Sequence, residues 1–500
     1  MTHVVFQFDI LEQDALDVLL LIRSWRNRVA PINRIPPEIL VLLPDFWDGY
    51  GGKDADAIAL THVCRAWREV FISRSSLWTD LNCANLNKAG VYLKRSKPLP
   101  INLSLDRDSC LSPYDPIFYI IDHAIGRLRS LSINGTPENL RGIITHLPHP
   151  APLLEKLSIH GGCDRAPHRN PVLRSTLFDG DLSSLRELHL EYVRTQLPWR
   201  NAISLTSFVL AHTAPGEISV TQFLDFFENA PNLRKIGLYS ATPTSDSQSK
   251  RLVLLPCLER MHTTGGGPSS LLLDHLLIPV GAHLATEVDL PSPPITDQPP
   301  RFLDNLWNLR NFTTIRLYGD ESFPHMQFNG PNGEVRMSLG TSRVDRTCQV
   351  LGSLTLLDTS KTERLEIVSC NPPSSDPLYR ALLPMKNLQI LKLTRCRNPH
   401  IFVRALHPGM RSSGIIVCPN LGELVLKLNI DEEELNIQSV IGTVEARASR
   451  GTKLGTVKIV DGHPNLKVDP VDVLELRRHT WYVDYCPGAG GSLLRSDEED

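Results

Sequence analysis

The densest group of potential metal ligands in the sequence lies in one short segment that begins at residue 146. Its candidate ligands are His146, His149, His160, Cys163 and His168. Imidazole nitrogens and a thiolate are ligands that Zn²⁺ prefers. Within this segment, however, residues 154–159 alternate as a strand would, and five extended residues separate the ends of a strand by about 17 Å. Because zinc requires its ligand atoms within about 2.3 Å, we expect loop histidines and no metal site.

A second candidate for chemistry is the glycine-rich stretch "TTGGGPSS" at residues 263–270. Such a loop can cradle a phosphate or an oxyanion, but a P-loop also needs a Lys-Ser or Lys-Thr pair, and a hydrolase elbow needs GxSxG. Neither pattern is present, and the sequence contains no HExxH. We therefore predict no catalytic, cofactor-binding or metal-binding residues and a protein that is not an enzyme. An enzyme whose site is assembled from separate loops is the alternative of another class.

The elements that position these side chains follow a pattern that recurs from about residue 128: a leucine, two residues, an aliphatic residue, one residue, and a second aliphatic residue. Clear copies are LRSLSI (128–133), LEKLSI (154–159), LRELHL (185–190), LTSFVL (205–210), LRKIGL (233–238), FTTIRL (312–317), LQILKL (388–393), LGELVL (421–426) and LGTVKI (454–459). Weaker copies are LERMHT (258–263), ATEVDL (285–290) and TERLEI (362–367). Copies recur every 20 to 33 residues, with one interval of 50 in which EVRMSL (334–339) occupies the place of a missing copy.

Alternating aliphatic residues predict a short strand with one buried face. The rest of each unit must return the chain to the start of the next parallel strand. Residues 220–233, "VTQFLDFFENAPNL", indicate a helix that does so, with Phe223, Leu224 and Phe227 at helical spacing. A single unit cannot bury its own apolar face, so the units are expected to stack around a continuous core. The predicted fold class is therefore α/β, with an irregular solenoid of short parallel strands plus helices over residues 83–475.

This pattern resembles the leucine-rich repeat. The residue three positions after the second aliphatic residue is Cys370 in one unit, Cys396 in another and Asn429 in a third. Cysteine and asparagine are the residue types that the family uses there to satisfy backbone groups of the loop. The resemblance thus implies that these three side chains bond to neighbouring backbone.

In each repeat, the residue between the two aliphatic positions points away from the core, because successive strand side chains alternate. The expected column of outward residues is Ser132, Ser158, His189, Val209, Gly237, His262, Asp289, Arg316, Glu366, Lys392, Val425 and Lys458. We predict that a target protein binds this face. Candidate target-binding residues are Arg260, Arg316, Arg364, His189 and Lys392. Since arginine is enriched at interface hot spots and forks onto carboxylates, an acidic segment is the expected ligand.

Residues 31–82 are here called the N-terminal module. Their pattern predicts three short helices and no repeat strand. Pro36 and Pro37 stand at a helix start, where a fixed φ and a missing N–H are tolerated. The segment "DADAIALTHVCRAWREVF" at residues 54–71 places apolar residues at helical spacing, and Leu77-Trp78 follows it. So small a core cannot hide this much apolar surface. A partner is therefore expected.

The N-terminal module resembles an F-box. The three elements of that family occur here in order, as Ile35-Pro36-Pro37-Glu38-Ile39, Val63-Cys64-Arg65-Ala66-Trp67 and Leu77-Trp78. Two departures are Ile35, where leucine is usual, and the insertion "PDFWDGYGGKDAD" at residues 44–56, which is expected to loop out. The resemblance implies docking to the Skp-type adaptor of a cullin-RING ubiquitin ligase. The expected adaptor-binding residues are Pro36, Ile39, Leu40, Leu43, Val63, Cys64, Trp67 and Trp78.

The resemblance implies a substrate-recognition subunit that holds a target protein near the ligase. One alternative is a non-catalytic scaffold of the same family that acts outside ubiquitination. Another is that the N-terminal module is only a helical cap that seals the apolar end of the solenoid.

Composition limits the kinds of partner and the cellular compartment that we expect. The 500 residues are 41% hydrophobic and 21% charged with a net charge of −3, which gives no electrostatic reason to expect a nucleic-acid or membrane partner. The ten cysteines form no CxxC pair, and the first 20 residues carry acids where a signal peptide would be basic. Both features favour reduced thiols in the cytoplasm or nucleus.

The two ends of the chain form separate segments. Residues 1–30 predict a helix that is apolar on several sides around Leu16–Trp25. We expect it to pack against the N-terminal module, with self-association as the alternative. Its purely apolar run from Val18 to Ile22 is too short to span a bilayer. Residues 476–500 predict a tail with an acidic end, for which we predict no partner.

Overall fold

The computed structural model describes residues 2–486 except for gaps at 44–51, 108–114, 148, 163–170, 175–176, 181, 198–201, 214–217, 242, 246–250, 265–267, 289–311, 320–324, 332, 340–345, 372–373, 410–414, 429–434 and 461–467. The chain divides into two compact units, Met1–Leu188 and His189–Asp500. Both are mixed α/β.

The first unit contains a run of helices followed by alternating strands and helices. Its described helices are α1 (Thr2–Val29), α2 (Pro37–Leu40), α3 (Gly52–Thr61), α4 (Arg65–Ser73), α5 (Leu86–Arg95), α6 (Pro116–Ala124) and α7 (Pro137–Thr145). Its described strands are β1 (Asp80–Asn82), β2 (Ile101–Arg107), β3 (Leu128–Gly135), β4 (Lys156–Gly161) and β5 (Val172–Leu173), and β6 (Glu187–Glu191) contains the division between the units. Strands β1 to β4 pair in parallel and in chain order.

Helices α5, α6 and α7 each return the chain between two of these parallel strands. Each begins at a side-chain cap, where Asn85, Asp115 and Thr136 accept backbone N–H groups of the first turn. Helices α6 and α7 also have proline in their first turn, which a helix tolerates because that N–H lacks an intrahelical acceptor. The local sequence therefore determines where each return helix begins.

The second unit continues the alternation. Its described helices are α8 (Val220–Glu228), α9 (Pro268–Leu273), α10 (Arg346–Ser353), α11 (Asp376–Leu382), α12 (Pro399–Arg404), α13 (Ile437–Ser449) and α14 (Pro470–His479). Its described strands are β7 (Arg194–Thr195), β8 (Ser207–Ala211), β9 (Lys235–Tyr239), β10 (Val253–Leu254), β11 (Arg260–Thr264), β12 (Leu276–Leu277), β13 (His283–Val288), β14 (Thr314–Tyr318), β15 (His325–Gly330), β16 (Gly333–Leu339), β17 (Arg364–Val368), β18 (Ile390–Thr394), β19 (Glu423–Lys427), β20 (Thr456–Val460) and β21 (Tyr482–Cys486). The predicted helix at residues 220–233 is confirmed as α8, which opens on a capping box between Ser219 and Gln222.

The main sheet of the second unit is mostly parallel. Its strands lie in the order β8, β9, β11, β13, β16, β15, β14, β17, β18, β19, β20 and β21. Only the pairs β14–β15 and β15–β16 are antiparallel among these described strands. Every copy of the LxxLxL pattern, and EVRMSL as well, overlaps a strand. The prediction of an α/β chain with short parallel strands plus helices is thus confirmed.

Two details of the predicted repeat order are wrong. EVRMSL lies in β16, but β16 pairs with β13 and precedes β14 in the sheet, because β14, β15 and β16 form an antiparallel meander. The register of ATEVDL is also shifted, since Met261 pairs with Leu284 and His262 pairs with Ala285. The outward residue of β13 in that row is therefore Ala285, whereas the predicted Asp289 lies outside the described residues.

A left-handed backbone residue follows several strands at the same position. Tyr192, His212, Ser240, Ser369 and Arg395 all have φ near +50°. Each directly follows its strand, and each backbone N–H donates to a carbonyl at the end of the next strand or just after it. Non-glycine residues rarely adopt this conformation. Its recurrence shows that the repeats share a backbone geometry as well as a sequence pattern.

A cysteine directly follows this left-handed residue in two adjacent repeats, those of β17 and β18. Cys370 and Cys396 are buried, and the Cys396 thiol donates to the Ile367 carbonyl of the neighbouring strand at 3.2 Å. Burial raises the pKa of Cys396 to about 12. The predicted backbone-bonding role is confirmed for Cys396, whereas Asn429 lies outside the described residues.

Helix α1 does not pack as the sequence predicted. Its apolar residues between Leu11 and Val29 are 42–66% exposed. The bonds that join it to the following turn include Ala30 N–H to the Asn27 carbonyl and Asn33 Nδ2 to the same carbonyl. The expectation that these apolar residues pack against the N-terminal module is therefore wrong. Among the described helices, none has the length and apolar content that crossing a membrane requires.

Candidate docking and recognition surfaces

The N-terminal module has a small core of its own. Leu40, Leu60, Trp67 and Phe71 are buried together. The Trp67 indole N–H donates to Asn33 Oδ1 at 2.6 Å, which ties helix α4 to the turn that precedes α2. These contacts hold three short helices around one cluster, as the apolar spacing of the sequence indicates.

The predicted adaptor-binding residues divide by exposure. Pro36, Ile39 and Val63 are exposed, with Ile39 at 53% and Val63 at 51%. Leu43 and Cys64 are partly buried and pack against the module core. Pro36, Ile39 and Leu43 lie in or beside α2, and Val63 and Cys64 directly precede α4. These five residues are therefore at least partly accessible in the folded module. Their adaptor-binding role stays a prediction.

The other three predicted residues, Leu40, Trp67 and Trp78, are buried. Trp78 donates its indole N–H to the Phe71 carbonyl at 3.1 Å and packs edge-on against Tyr92 of α5 with ring centroids 4.8 Å apart. Arg95 also lies over the indole, 4.7 Å from its centroid. In the free chain these three side chains therefore support the module, and any change to them perturbs folding first.

The outward side chains of the second unit's sheet form a row across the strands, here called the central row. In paired register the central row is Val209, Gly237, His262, Ala285, Arg336, Gln327, Arg316, Glu366, Lys392, Val425, Lys458 and Asp484. Most flanking strand residues on the opposite side are buried and apolar, and two others, Thr263 and Thr286, are buried threonines. The predicted column is confirmed for the residues that it shares with this row.

Besides Ala285 and Asp484, the sequence prediction missed two members of the central row, Gln327 and Arg336. Both lie on the meander strands β15 and β16. The EVRMSL pattern already marked β16 as a strand, so its alternation was the signal for Arg336. Strand β15 lacks the LxxLxL pattern, and only its antiparallel pairing places Gln327 in the row.

Three of the predicted target-binding residues lie on the strand that carries Glu366 or on the two strands paired with it. Glu366 is buried, and its carboxylate lies 2.7 Å from Lys392 Nζ and 3.2 Å from Arg316 Nε. The Arg316 contact is an ion pair without hydrogen-bond geometry. Arg364 lies two residues before Glu366 on the same face, and its Nε is buried without a hydrogen-bond partner. We call these four residues the Glu366 cluster.

The Glu366 cluster carries more positive than negative charge. Arg316 and Lys392 contact its single carboxylate and Arg364 adds a third cation, so one acid neutralises only part of the local positive charge. An added carboxylate or other anion would be attracted there, where guanidinium groups can donate hydrogen bonds to it. The arrangement can therefore bind an acidic group without any covalent chemistry.

Two other predicted target-binding residues lie apart from this cluster. Arg260 is on β11, four strand positions from Arg316 in the sheet order, which is about 19 Å at the usual strand spacing. His189 is on β6, at the start of the second unit. The structure therefore does not join Arg260 to Arg316 and Arg364 in one local site.

A second polar region of the face is built around His262. Its ring lies edge-on to Tyr239 with centroids 4.9 Å apart. Partial desolvation, and then the positive charge of Arg336, lower the pKa of His262. The imidazole is therefore neutral at physiological pH and offers one donor and one acceptor.

At the other end of the row, Lys458 pairs with Glu423 at 2.8 Å. The hydrogen bond to this carboxylate, and then its charge, raise the pKa of Lys458. Lys458 is thus neutralised by one acid, whereas the Glu366 cluster has three cations for one acid. The cluster is thus the more suitable place for an external acidic group.

Two histidines of the candidate zinc segment, His146 and His160, have protein contacts of their own. His146 stacks on Phe118 with ring centroids 3.9 Å apart, and its Nδ1 lies 2.9 Å from the Gly142 carbonyl. His160 Nε2 lies 2.8 Å from the Ser158 hydroxyl. Cys163 and His168, like the three glycines at residues 265–267, lie outside the described residues.

A polar groove of about 430 Å³ lies between helices α12 and α13. Its lining residues are Arg404, His407, Gly409, Ser439, Gly442 and Thr443. His407 Nδ1 accepts the Gly409 N–H at 2.9 Å, which fixes the ring against its own turn. The described lining contains one imidazole and two hydroxyl groups, and no carboxylate or thiol.

No family model and no curated protein matches the chain, so these comparisons assign neither a family nor a function to it.

Proposed function

We propose that the chain is a substrate receptor of an F-box type, in which the N-terminal module docks a Skp-type adaptor of a cullin-RING ubiquitin ligase and the second unit binds a target protein. The observation that carries this proposal is the N-terminal module itself. Its three motif elements occur in family order and fold around one core of Leu40, Leu60, Trp67 and Phe71. The module still leaves Ile39 and Val63 about half exposed, as a docking surface requires.

The repeating strands support the second half of the proposal. Parallel strands joined by return helices, with a recurrent left-handed turn, are what a leucine-rich-repeat solenoid would have. Solenoids use their extended sheet face to bind long partners. The Glu366 cluster gives that face a place where an acidic segment of the target can bind. Such a receptor acts by proximity, since it raises the local concentration of a target lysine near the charged ubiquitin carrier.

Adaptor binding is tested with a double variant, Ile39→Asp and Val63→Asp, in the full chain. Both side chains are already exposed, so the fold should persist while two apolar contacts are lost. Truncating interface anchors typically costs about 2 kcal/mol or more each, so we expect the adaptor dissociation constant to rise at least tenfold. Isothermal titration calorimetry with purified adaptor measures this change.

Ile32→Asp is the matched control, because Ile32 is also exposed (51%) but outside the predicted docking set. Its affinity should equal that of the unaltered chain, and thermal unfolding should be the same for all variants. Undiminished adaptor binding by the double variant would refute the docking assignment. Adaptor binding without recruitment of the cullin would instead favour the scaffold acting outside ubiquitination.

A further inference from the structure

Helix α1 presents a continuous apolar seam to solvent. Its members are Leu11, Ala15, Val18, Ile22, Trp25 and Val29, which alternate at spacings of four and three residues. This is the repeat of a coiled-coil seam. The large members are 57–66% exposed. Packing these side chains against a second helix would bury apolar surface that is exposed to water in the single chain.

The charges beside the seam are segregated along the helix. Between residues 11 and 29 the acids come first, as Glu12, Asp14 and Asp17, and the bases follow, as Arg23, Arg26 and Arg28. This distribution also suits the dipole of a single helix. The dipole does not account for the exposed seam, however. A second copy of the same helix accounts for both features if it runs in the opposite direction.

We infer that two copies of this chain associate through antiparallel pairing of their α1 helices, centred on Val18. In that register Leu11 packs near the partner's Trp25, Ala15 near the partner's Ile22, and the two Val18 side chains meet on the two-fold axis. Glu12 and Arg26 flank the seam on the same side, because 14 residues are close to four helical turns. Each Glu12 then faces the partner's Arg26, which gives two ion pairs related by symmetry. A parallel pair would instead bring the acidic stretch of one helix beside the acidic stretch of the other.

The inference concerns only α1 and does not depend on the proposed function. It is tested by the mass of the full chain in solution, measured by light scattering after gel filtration across a concentration series. We expect about twice the chain mass of 55.9 kDa. Val18→Asp with Ile22→Asp should give the single-chain mass. Leu20→Asp is the control, because Leu20 is also exposed (44%) but lies about 200° around the helix from Val18, and it should remain a dimer.

Charge reversal tests the direction of pairing. Glu12→Arg alone and Arg26→Glu alone should each raise the dimer dissociation constant about tenfold, because two attractive pairs become repulsive. The chain that carries both changes should recover the original affinity, since the guanidinium introduced at position 12 then faces the carboxylate introduced at position 26 of the second copy. Three results would each overturn the inference: a single-chain mass for the unaltered protein at all concentrations, a dimer that survives the Val18 and Ile22 changes, or no recovery in the doubly reversed chain.

Discussion

Arg447 shows how one residue can be structural despite its charge. It is fully buried on α13, and its guanidinium donates to the Val417 and Cys418 carbonyls at 2.8 Å each. Desolvation lowers the pKa of Arg447. Val440, Val444 and Arg447 follow helical spacing, so the sequence places this arginine on the apolar side of its helix.

Arg447→Ala should lower the free energy of unfolding by about 3–5 kcal/mol, because two buried carbonyls lose a charged donor. Arg447→Lys should recover only part of this loss, since an ammonium cannot fork onto both carbonyls as a guanidinium does. Urea unfolding measures both values. Arg450→Ala is the control, because the side chain of exposed Arg450 donates to the Pro408 carbonyl alone among the described contacts. Equal losses at both positions would contradict the structural role of Arg447.

The buried thiols predict how stability depends on pH. Burial raises the pKa of Cys396 and that of Cys418 from 9.0 to about 12. Above about pH 9 the unfolded chain loses these protons while the folded chain keeps them. The free energy of unfolding should therefore fall as pH rises from about 9 to about 12, by about 1.4 kcal/mol per pH unit for each thiol.

Unfolding of Cys396→Ala at a series of alkaline pH values measures this slope. The variant should lose stability with pH less steeply than the unaltered chain. Cys257→Ala, at an exposed cysteine, should keep the original slope. Identical slopes for all three proteins would show that Cys396 does not contribute.

At the scale of elements, each strand contributes through its inward aliphatic residues. Leu188, Leu391 and Leu424 are at most 1% exposed, and Leu391 pairs in register with Leu424. Replacing any one of them with alanine should lower the free energy of unfolding by about 2–5 kcal/mol, because a cavity is left in the core. Leu254→Ala is the control, at a strand residue that is 60% exposed, and should change stability by less than about 0.5 kcal/mol. Losses well under about 1 kcal/mol at all three core positions would contradict the assigned inward face.

At the scale of the whole molecule, the proposed function predicts that adaptor and target binding are separable. Arg316→Glu with Arg364→Glu should remove the target from complexes captured while the proteasome is blocked, because the Glu366 cluster changes from net positive to net negative. Adaptor binding should be unchanged. The Ile39 and Val63 variant should give the reverse result, with the target retained and the adaptor lost. Mass spectrometry of the captured complexes distinguishes these outcomes.

Lys386→Glu is the control for the target experiment, since it reverses an exposed cation of the same unit in the turn before β18. It should retain the target. If the doubly reversed chain also retains the target, recognition uses another surface and the acidic-segment prediction is wrong.

The sequence alone determined most of the elements and their inward faces. Alternation along LxxLxL is a local property, so it predicted the strands that carry Leu131, Leu391 and Leu424 without knowledge of their neighbours. Caps and prolines likewise determined where return helices such as α8 begin. The same local signals predicted which side chains point outward, including Arg316 and Lys392.

Only the tertiary structure decided what those side chains meet. The meander reverses the spatial order of β14 and β16, and pairing with β11 moves the outward residue of β13 to Ala285, because register depends on hydrogen bonds between distant segments. Burial of Glu366 between Arg316 and Lys392 depends on adjacent strands, and burial of Arg447 depends on a turn 29 residues away. Exposure of α1 was equally beyond the sequence, because an apolar pattern indicates that a helix needs a partner but does not indicate whether its own chain supplies one.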